Sequence, residues 1–291
     1  MVLKMEINDQ LFEKLKPSII ISTESENRRL KAHNFYNFPK YYDMAFSRDI
    51  TSDIRFFQNC FEEFTDLQIK RVLEPACGTG MFLEEFPKLG YYMVGYDLSP
   101  SMVDYSKERL KKAGLTENDA KVLIGDMKDF SFEDKFDAAI ICINSLGYLT
   151  SNSDISSHLR AMYNSLNAGG LYIVEISCMC DDIINEKKVD DIWHVKNDGI
   201  ELELTWNISW YDVANRIRHV DFRMKGTDHG RDFLIEEPHE LRLWLFEDFK
   251  TISESNGFKI VNIFNQKYEK IDDSCKIIGE LGALFFILKK E

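Results

Sequence analysis

Positive charge is in short supply beside negative charge in this chain. Its 291 residues carry 36 Lys and Arg against 49 Asp and Glu, a formal net charge of −13, and no basic run exceeds two residues. A surface of that sign repels phosphate backbones, which argues against nucleic acid as a partner. Long apolar runs are missing too. The longest late run, LGALFFIL over 281–288, is far too short to span a bilayer as a helix. The opening MVLKMEINDQ has early acids and no apolar core of signal-peptide length. The expectation is a cytoplasmic protein with no membrane association. Paired cysteines are scarce as well. Of six, only Cys178 and Cys180 lie close together, and no second pair completes a zinc site, so no metal is expected. Internal repeats and low-complexity segments are absent.

What is present is material for a core: 44% of residues are hydrophobic and 29% charged, a globular profile sized for one large domain or two small ones. The first 40 or so residues are polar, with a helix predicted over 8–15 and ended by Pro17. FYNFPKYYDMAF (35–46) is unusually aromatic for a linker. Ser52 and Asp53 are predicted caps of a helix whose Ile54, Phe57, Cys60, Phe61 and Phe64 recur at helical spacing. From residue 70, strands alternate with helices. Strands are predicted over 71–76, 91–96, 121–124, 136–143 and 171–176, and helices over 80–89, 100–113 and 154–166. Ser99 and Pro100 open the second of these helices as N-cap and first residue. Such alternation implies parallel pairing with right-handed crossovers.

After residue 180 the period switches to two. Ile200, Leu202, Leu204, Trp206, Ile208 and Trp210 alternate with polar residues, a turn follows over 212–215, and Val220, Phe222 and Met224 continue the pattern. A third run covers 239–245; a helix over 247–255, a stop at Gly257 and strands over 258–264 and 283–288 follow. The fold class is therefore α/β: a doubly wound, mostly parallel seven-stranded sheet with an inserted antiparallel lid. The expected division is an N-terminal helical and aromatic cap (1–65), an α/β domain (66–180 and 246–291) and the lid (181–245).

The stretch LEPACGTGMF (73–82) joins the first strand of that sheet to its helix. A P-loop would need Lys followed by Ser or Thr after the second glycine, and neither follows here. A dinucleotide fingerprint would need a third glycine where Leu83 stands. S-adenosylmethionine (SAM) has no phosphate; it needs backbone clearance, then an acid for its ribose hydroxyls. Gly78 and Gly80 supply clearance, and Asp97, 17 residues beyond Gly80, ends the second strand. Asp126 and Met127, after the third strand, stand where the adenine amino group and ring face would lie.

These segments together resemble class I SAM-dependent methyltransferases: VLEPACGTG (72–80), VGYDLSPSMV (94–103), LIGDM (123–127), FDAAIICINSLGYL (136–149) and LNAGGLYIVEI (166–176). Ala76 stands where the family usually has its first glycine. The later chain is similar to small-molecule N- and O-methyltransferases, sugar N-methyltransferases among them, which insert an antiparallel sheet and continue with a segment like HELRLWLFEDFKTISESNGF (239–258). The resemblance implies a Rossmann-like fold and SAM as cofactor. It implies cofactor contacts from Glu74, Gly78, Gly80, Asp97, Asp126 and Met127, to which Tyr42, Ala76, Leu98 and Asn144 are added by position.

Each residue also has a plainer reading. Glu74 is otherwise a solvated strand-end acid, Asp97 a helix cap, Asp126 an ordinary loop acid and Cys77 a small loop residue. Asn144 bonds cofactor or acceptor. Tyr148 orients or deprotonates the acceptor, or is only a wall. Tyr41 and Tyr42 lie in a segment that closes over SAM in similar enzymes, or pack on the sheet; Tyr42 is the better lid candidate. His239 is a general base or a structural histidine, with Arg242 on the opposite face. Trp206, Trp210 and Phe222 form a packing face, or some of them line an acceptor pocket. The function expected is in-line methyl transfer from SAM to N or O of a small-molecule acceptor, by a monomer or homodimer. The alternatives are a protein or tRNA methyltransferase, a noncatalytic SAM-binding protein and, last, a nicotinamide oxidoreductase.

Overall fold

The computed structural model describes residues 19–21, 30–32, 34–179, 190–271 and 280–291. The helix expected over 8–15, Pro17, Cys180 and Cys275 lie outside them.

Five parallel strands form the centre of the main sheet: β3 (Arg71–Pro75), β4 (Tyr92–Asp97), β5 (Ala120–Ile124), β6 (Phe136–Ile141) and β7 (Leu166–Met179). β13 (Phe258–Phe264) and β14 (Glu280–Lys290) add an antiparallel edge, giving the order β13-β14-β7-β6-β3-β4-β5, and the two-residue β12 (Trp244–Leu245) pairs with the end of β7. The strands are continuous apolar runs because both faces are covered. Helices α2 (Thr51–Phe64), α3 (Met81–Lys88) and α4 (Pro100–Lys112) seal one face with Phe57, Phe82, Phe86 and Leu110. Helices α5 (Asn152–Ser165) and α6 (Phe246–Ser255) seal the other with Leu159, Met162 and Phe249. Each large apolar side chain so buried contributes roughly 1.5–3 kcal/mol. Strand order reverses at β3, which pairs with β4 on one side and β6 on the other. A doubly wound sheet opens its ligand crevice at the carboxyl end of such a strand, and there the glycine loop lies.

The second sheet has the order β1-β2-β11-β10-β9-β8, made of β1 (Ile19–Ile21), β2 (Leu30–Ala32), β8 (Asp190–Asn197), β9 (Ile200–Asp212), β10 (Ile217–Asp228) and β11 (Arg231–Arg242). All its pairings are antiparallel except β2 with β11. One face is apolar. Leu204, Phe222, Met224, Phe233 and Ile235 pack there against Phe35 and the helix α1 (Pro39–Phe46).

Local expectations fail where an unpaired turn or a buried charge intervenes. The fourth strand stops at Ile141, not at residue 143, because Ile143 and Asn144 both take φ of 55°. Neither Ser52 nor Asp53 caps α2. Ile50 precedes it, Asp49 accepts from the Thr51 amide at 2.9 Å, and Asp53 is buried against the Arg48 guanidinium. The run read as 239–245 is the end of β11 and then β12; the hairpin that opens β11 was hidden by the charged RDFLIEEPHE pattern. β8 opens the inserted sheet expected there, but DDIWHVKN mixes polar residues into both faces, so its alternation alone does not delimit the strand. β1 and β2 add strand to a segment read as helical and aromatic. Trp210 leaves the packing face assigned to it: the register shifts at His219/Val220, so Trp210 is 52% exposed and stacks on His219 at 3.7 Å.

Candidate active site

The glycine loop is a chain of left-handed residues. Ala76 (φ 51°), Gly78 (φ 54°) and Gly80 (φ 78°) bend the backbone between Pro75 and α3. The Cys77 amide donates to the Tyr96 carbonyl at 3.1 Å and the Gly80 amide to the Cys77 carbonyl at 2.9 Å, which fixes the loop on β4. The two glycines are needed for different reasons. A Cβ at Gly80 would lie 2.1 Å from Ser106 Oγ on α4, so the second glycine admits a neighbouring helix. A Cβ at Gly78 would meet only Tyr42 Cε1, at 3.9 Å, so the first glycine faces open space under the Tyr42 ring. Leu83 fills the place of a third glycine, and Gly95 on β4 makes room for it: a Cβ there would lie 2.5 Å from Leu83 Cδ1.

Asp97 closes the loop from the side. Its Oδ2 accepts from the Gly78 amide at 2.9 Å and its Oδ1 from the Ser99 amide at 2.8 Å. Burial raises its pKa, and these two bonds oppose the rise. Ser99 caps α4 as expected, accepting from the Met102 amide. Glu74 is buried beneath the loop, and its Oε2 has no hydrogen-bond partner among the described residues. Burial pushes its carboxyl well above the usual range, and the charge of Asp97 adds to this. Leu98 is 69% exposed at the crevice mouth, an apolar surface next to the acid. Asp126 is exposed and folds its own turn, accepting from the Lys128 amide at 2.9 Å. Met127 packs on the core, and its carbonyl accepts from His158 Nδ1 at 2.8 Å. The His158 Nε2 then accepts from the Tyr172 hydroxyl at 2.7 Å. This buried histidine, held neutral with its pKa lowered to about 4, pins the loop after β5. Burial pushes the Cys77 thiol well up, which leaves it without nucleophilic character.

Asn144 turns inward. Its Oδ1 accepts from the Ser177 amide at 3.0 Å and its Nδ2 lies over Gly147, so it braces β6 against β7. The glutamate after it in space, Glu175, accepts from the Ile143 amide at 2.8 Å.

The aromatic N-terminal segment covers this crevice. Tyr42 stands over Gly78, while Tyr41 points away, stacking on Phe233 at 4.5 Å and donating to Asp228 at 2.9 Å. Asp43 is the fastener. It accepts from Thr79 Oγ1 (2.9 Å) in the glycine loop, from the Tyr105 hydroxyl (3.0 Å) and from Arg109 on α4. Tyr36, on the short helix Phe35–Asn37, reaches the Tyr148 hydroxyl at 2.6 Å, and Tyr148 in turn lies 3.3 Å from His239 Nδ1. Trp206 stacks on the His239 ring at 5.3 Å, and Phe222 meets it edge-on at 6.1 Å. Burial lowers the His239 pKa to about 4 and raises that of Tyr148 to about 12, so both are neutral near pH 7.

Tyr42, Glu74, Gly78, Gly80 and Asp97 thus meet around one crevice, and Tyr148 and His239 meet beside it. Tyr36, Asp43 and His158 escaped sequence reasoning. Only the aromatic density of FYNFPKYYDMAF hinted at the first two. The set fits SAM: an orphaned buried carboxylate oxygen, clearance over Gly78, a carboxylate with a free lone pair on each oxygen, and an uncovered apolar Leu98.

Known proteins agree with this geometry. Residues 72–170 match the family described as a methyltransferase domain. The chain is 23% identical over 200 residues to the putative methyltransferase YqeM of Bacillus subtilis (strain 168), covering 65% of this chain and 74% of that one. It is 34% identical over 104 residues to the dTDP-3-amino-3,4,6-trideoxy-alpha-D-glucopyranose N,N-dimethyltransferase of Streptomyces venezuelae, covering 36% of this chain and 41% of that enzyme. Its fold matches the crystal structure of a SAM-dependent methyltransferase from Clostridium acetobutylicum ATCC 824 with a TM-score of 0.71, at 20% identity, over 88% of this chain and 99% of that one. With its glycine loop and Asp97 set at the switch point of a doubly wound sheet, the chain carries a methyltransferase domain over 72–170 and has the fold of SAM-dependent methyltransferases.

Proposed function

We propose that the chain methylates an amine nitrogen on a small hydroxyl-bearing molecule of the amino-sugar type. The observation that carries this is the aromatic cluster beside the glycine loop, where Tyr36, Tyr148, Trp206 and His239 meet and neither the phenol nor the imidazole is ionised near neutral pH. An alcohol is too weak an acid to be ionised by an imidazole held near pKa 4 or a phenol near 12. An amine needs no such base. Desolvation in this pocket favours its neutral form, the one with a lone pair to donate. The amino-sugar activity of the Streptomyces venezuelae relative supports the same reading.

When bound, SAM supplies a methyl group on a sulfonium, open to in-line displacement. The chain's own residues hold and align. Asp97 accepts from the ribose hydroxyls with its remaining lone pairs, and the orphaned Glu74 oxygen accepts from the methionine amine or a water beside it. Leu98 and Met127 flank the adenine, with Asp126 at its amino group. Gly78, Gly80 and Ala76 offer backbone alone. Tyr42 turns its ring to the positive charge and keeps water out. Asn144 acts as a brace, whereas Tyr148 and His239 orient the acceptor, a contribution worth several powers of ten when alignment is good.

Residues 66–180 and 246–291 form the cofactor half in this reading, and 181–245 with the N-terminal segment forms the acceptor half, which Tyr148 completes from the main domain. The protein works in the cytoplasm as a monomer or homodimer. No helix among the described residues is long and apolar enough to cross a membrane. The net charge of −13 weighs against a nucleic-acid acceptor. Titration calorimetry with S-adenosylhomocysteine tests the cofactor half. Methyl transfer from labelled SAM to 3-amino-3-deoxyglucose and its nucleotide esters, run beside protein and tRNA pools, tests the acceptor class. Label confined to the macromolecules would overturn it.

A further inference from the structure

His239 is buried among the rings of Tyr36, Tyr148, Trp206 and Phe222. Trp206 stacks on its face at 5.3 Å with an interplanar angle of 17°, and Phe222 meets it edge-on. Tyr148 occupies Nδ1 at 3.3 Å. The ring is 5% exposed, yet Nε2 has no hydrogen-bond partner among the described residues. A neutral imidazole has one donor nitrogen and one acceptor nitrogen, and its neighbours decide which is which. Tyr36 and Tyr148 each have one hydroxyl proton. The phenol is the better donor and the imidazole nitrogen the better acceptor. The favoured order is therefore Tyr36 to Tyr148 to Nδ1, which leaves the ring proton on Nε2. That proton is buried and has no acceptor among the described residues, and a buried donor left unpaired is a destabilising feature that proteins seldom keep without use.

We infer that His239 Nε2–H is a substrate-recognition donor: it receives an oxygen of the acceptor, a hydroxyl close to the amine that is methylated, and Tyr148 is the positioning residue that sets this tautomer. The ligand class is an amino alcohol rather than a plain amine. This deepens the amine-methyltransferase reading and rests on it for the ligand, but the tautomer does not depend on it. The row of inward residues places the donor well for this. Val220 pairs with His239 in register, and Phe222 with Glu237 in the next row, so the histidine lies at the apolar wall of the insert sheet, facing the main sheet through Tyr148.

Nitrogen-15 NMR on the full chain saturated with S-adenosylhomocysteine reads the tautomer directly. The expected spectrum has the His239 proton on Nε2 in the wild type and a mixture of tautomers in Tyr148→Phe. A wild-type proton on Nδ1 overturns the assignment. The same sample is then titrated with trans-2-aminocyclohexanol and with cyclohexylamine, which differ by one hydroxyl. The amino alcohol is expected to move the Nε2–H resonance and to bind about tenfold more tightly. Equal responses to the two amines, or none to either, refute the recognition role. His239→Gln, which keeps an N–H donor, should retain most of that preference, and His239→Phe should lose it. Failure of S-adenosylhomocysteine to bind at all would instead remove the methyltransferase reading, and the tautomer experiment would still stand on the apo protein.

Discussion

The two halves of the crevice are built in opposite ways. The cofactor half is made of backbone and short-range contacts. Gly78, Gly80, Asp97 and Ser99 lie within 22 residues of one another, and three of the bonds that hold them run to main-chain amides. The acceptor half is made of side chains gathered from residues 36, 148, 206 and 239, on two short helical turns and on β9 and β11 of the second sheet. A backbone-built site tolerates change around it but not within it. A side-chain-built site is the reverse: each member is replaceable in kind, and together they set what fits. This difference suits a methyltransferase, where one cofactor is constant and acceptors vary.

The sharpest way to break the comparison is Asp97→Ala. It removes the acceptor of the Gly78 amide and, in the proposed reading, that of the ribose hydroxyls. Each such bond is worth about 1.5–3 kcal/mol, so S-adenosylhomocysteine affinity should fall about 100-fold or more by calorimetry. Affinity within threefold of wild type would remove Asp97 from the cofactor half.

The glycines give a contrast inside that half. Gly80→Ala places a methyl group 2.1 Å from Ser106 Oγ at positive φ. A loss of about 2–4 kcal/mol is expected in urea unfolding, partly recovered by adding Ser106→Gly. Gly78→Ala meets only Tyr42 at 3.9 Å and should cost about 1 kcal/mol, its φ term alone. Similar losses at both would show that crowding does not separate them.

The third test uses pH. His158 has its pKa lowered by burial to about 4, against 6.5 unperturbed. The unfolded chain therefore binds the extra proton between those values, and the stability contributed by the neutral ring is present above 6.5 and lost as pH falls toward 4. The loss reaches roughly 3 kcal/mol. Glu74 and Asp97, whose carboxyls burial raises, act in the opposite sense, so the difference between wild type and His158→Gln isolates the histidine. Parallel pH profiles of the two proteins would show that His158 is not the titrating group. The smallest effect is expected at Trp210→Ala, an exposed residue: about 0.5 kcal/mol or less by the same unfolding measurement. A loss above 2 kcal/mol would mean that this tryptophan is covered in solution.

Much of the cofactor half was legible because it is written in local rules. Ser99-Pro100 announces a helix start, alternating strands and helices announce a parallel sheet, and Gly78-Thr79-Gly80 after a buried strand announces a close backbone approach. The acceptor half was legible only as scattered candidates. Tyr148 and His239 were named for their residue types, but nothing in the sequence joins positions 91 residues apart through one hydroxyl. Trp210 was placed inside by strict alternation, and one bulge put it outside. Asn144 looked like a ligand contact because polar residues at strand ends often are; its carboxamide is consumed by the Ser177 amide.

Local sequence alone sets the alternation of strands and helices over 70–176, the position of the glycine turn and the acid that follows it, since each depends on dihedral preference or hydrophobic period over a few neighbours. Only the tertiary structure decided that Leu83 replaces a third glycine because Gly95 yields it room. The fold likewise decided that Asp43 fastens an aromatic roof to the loop, and that His239 sits neutral with one nitrogen unpaired among the described residues. Those outcomes depend on burial and on contacts between distant segments, quantities that come into being when the chain packs.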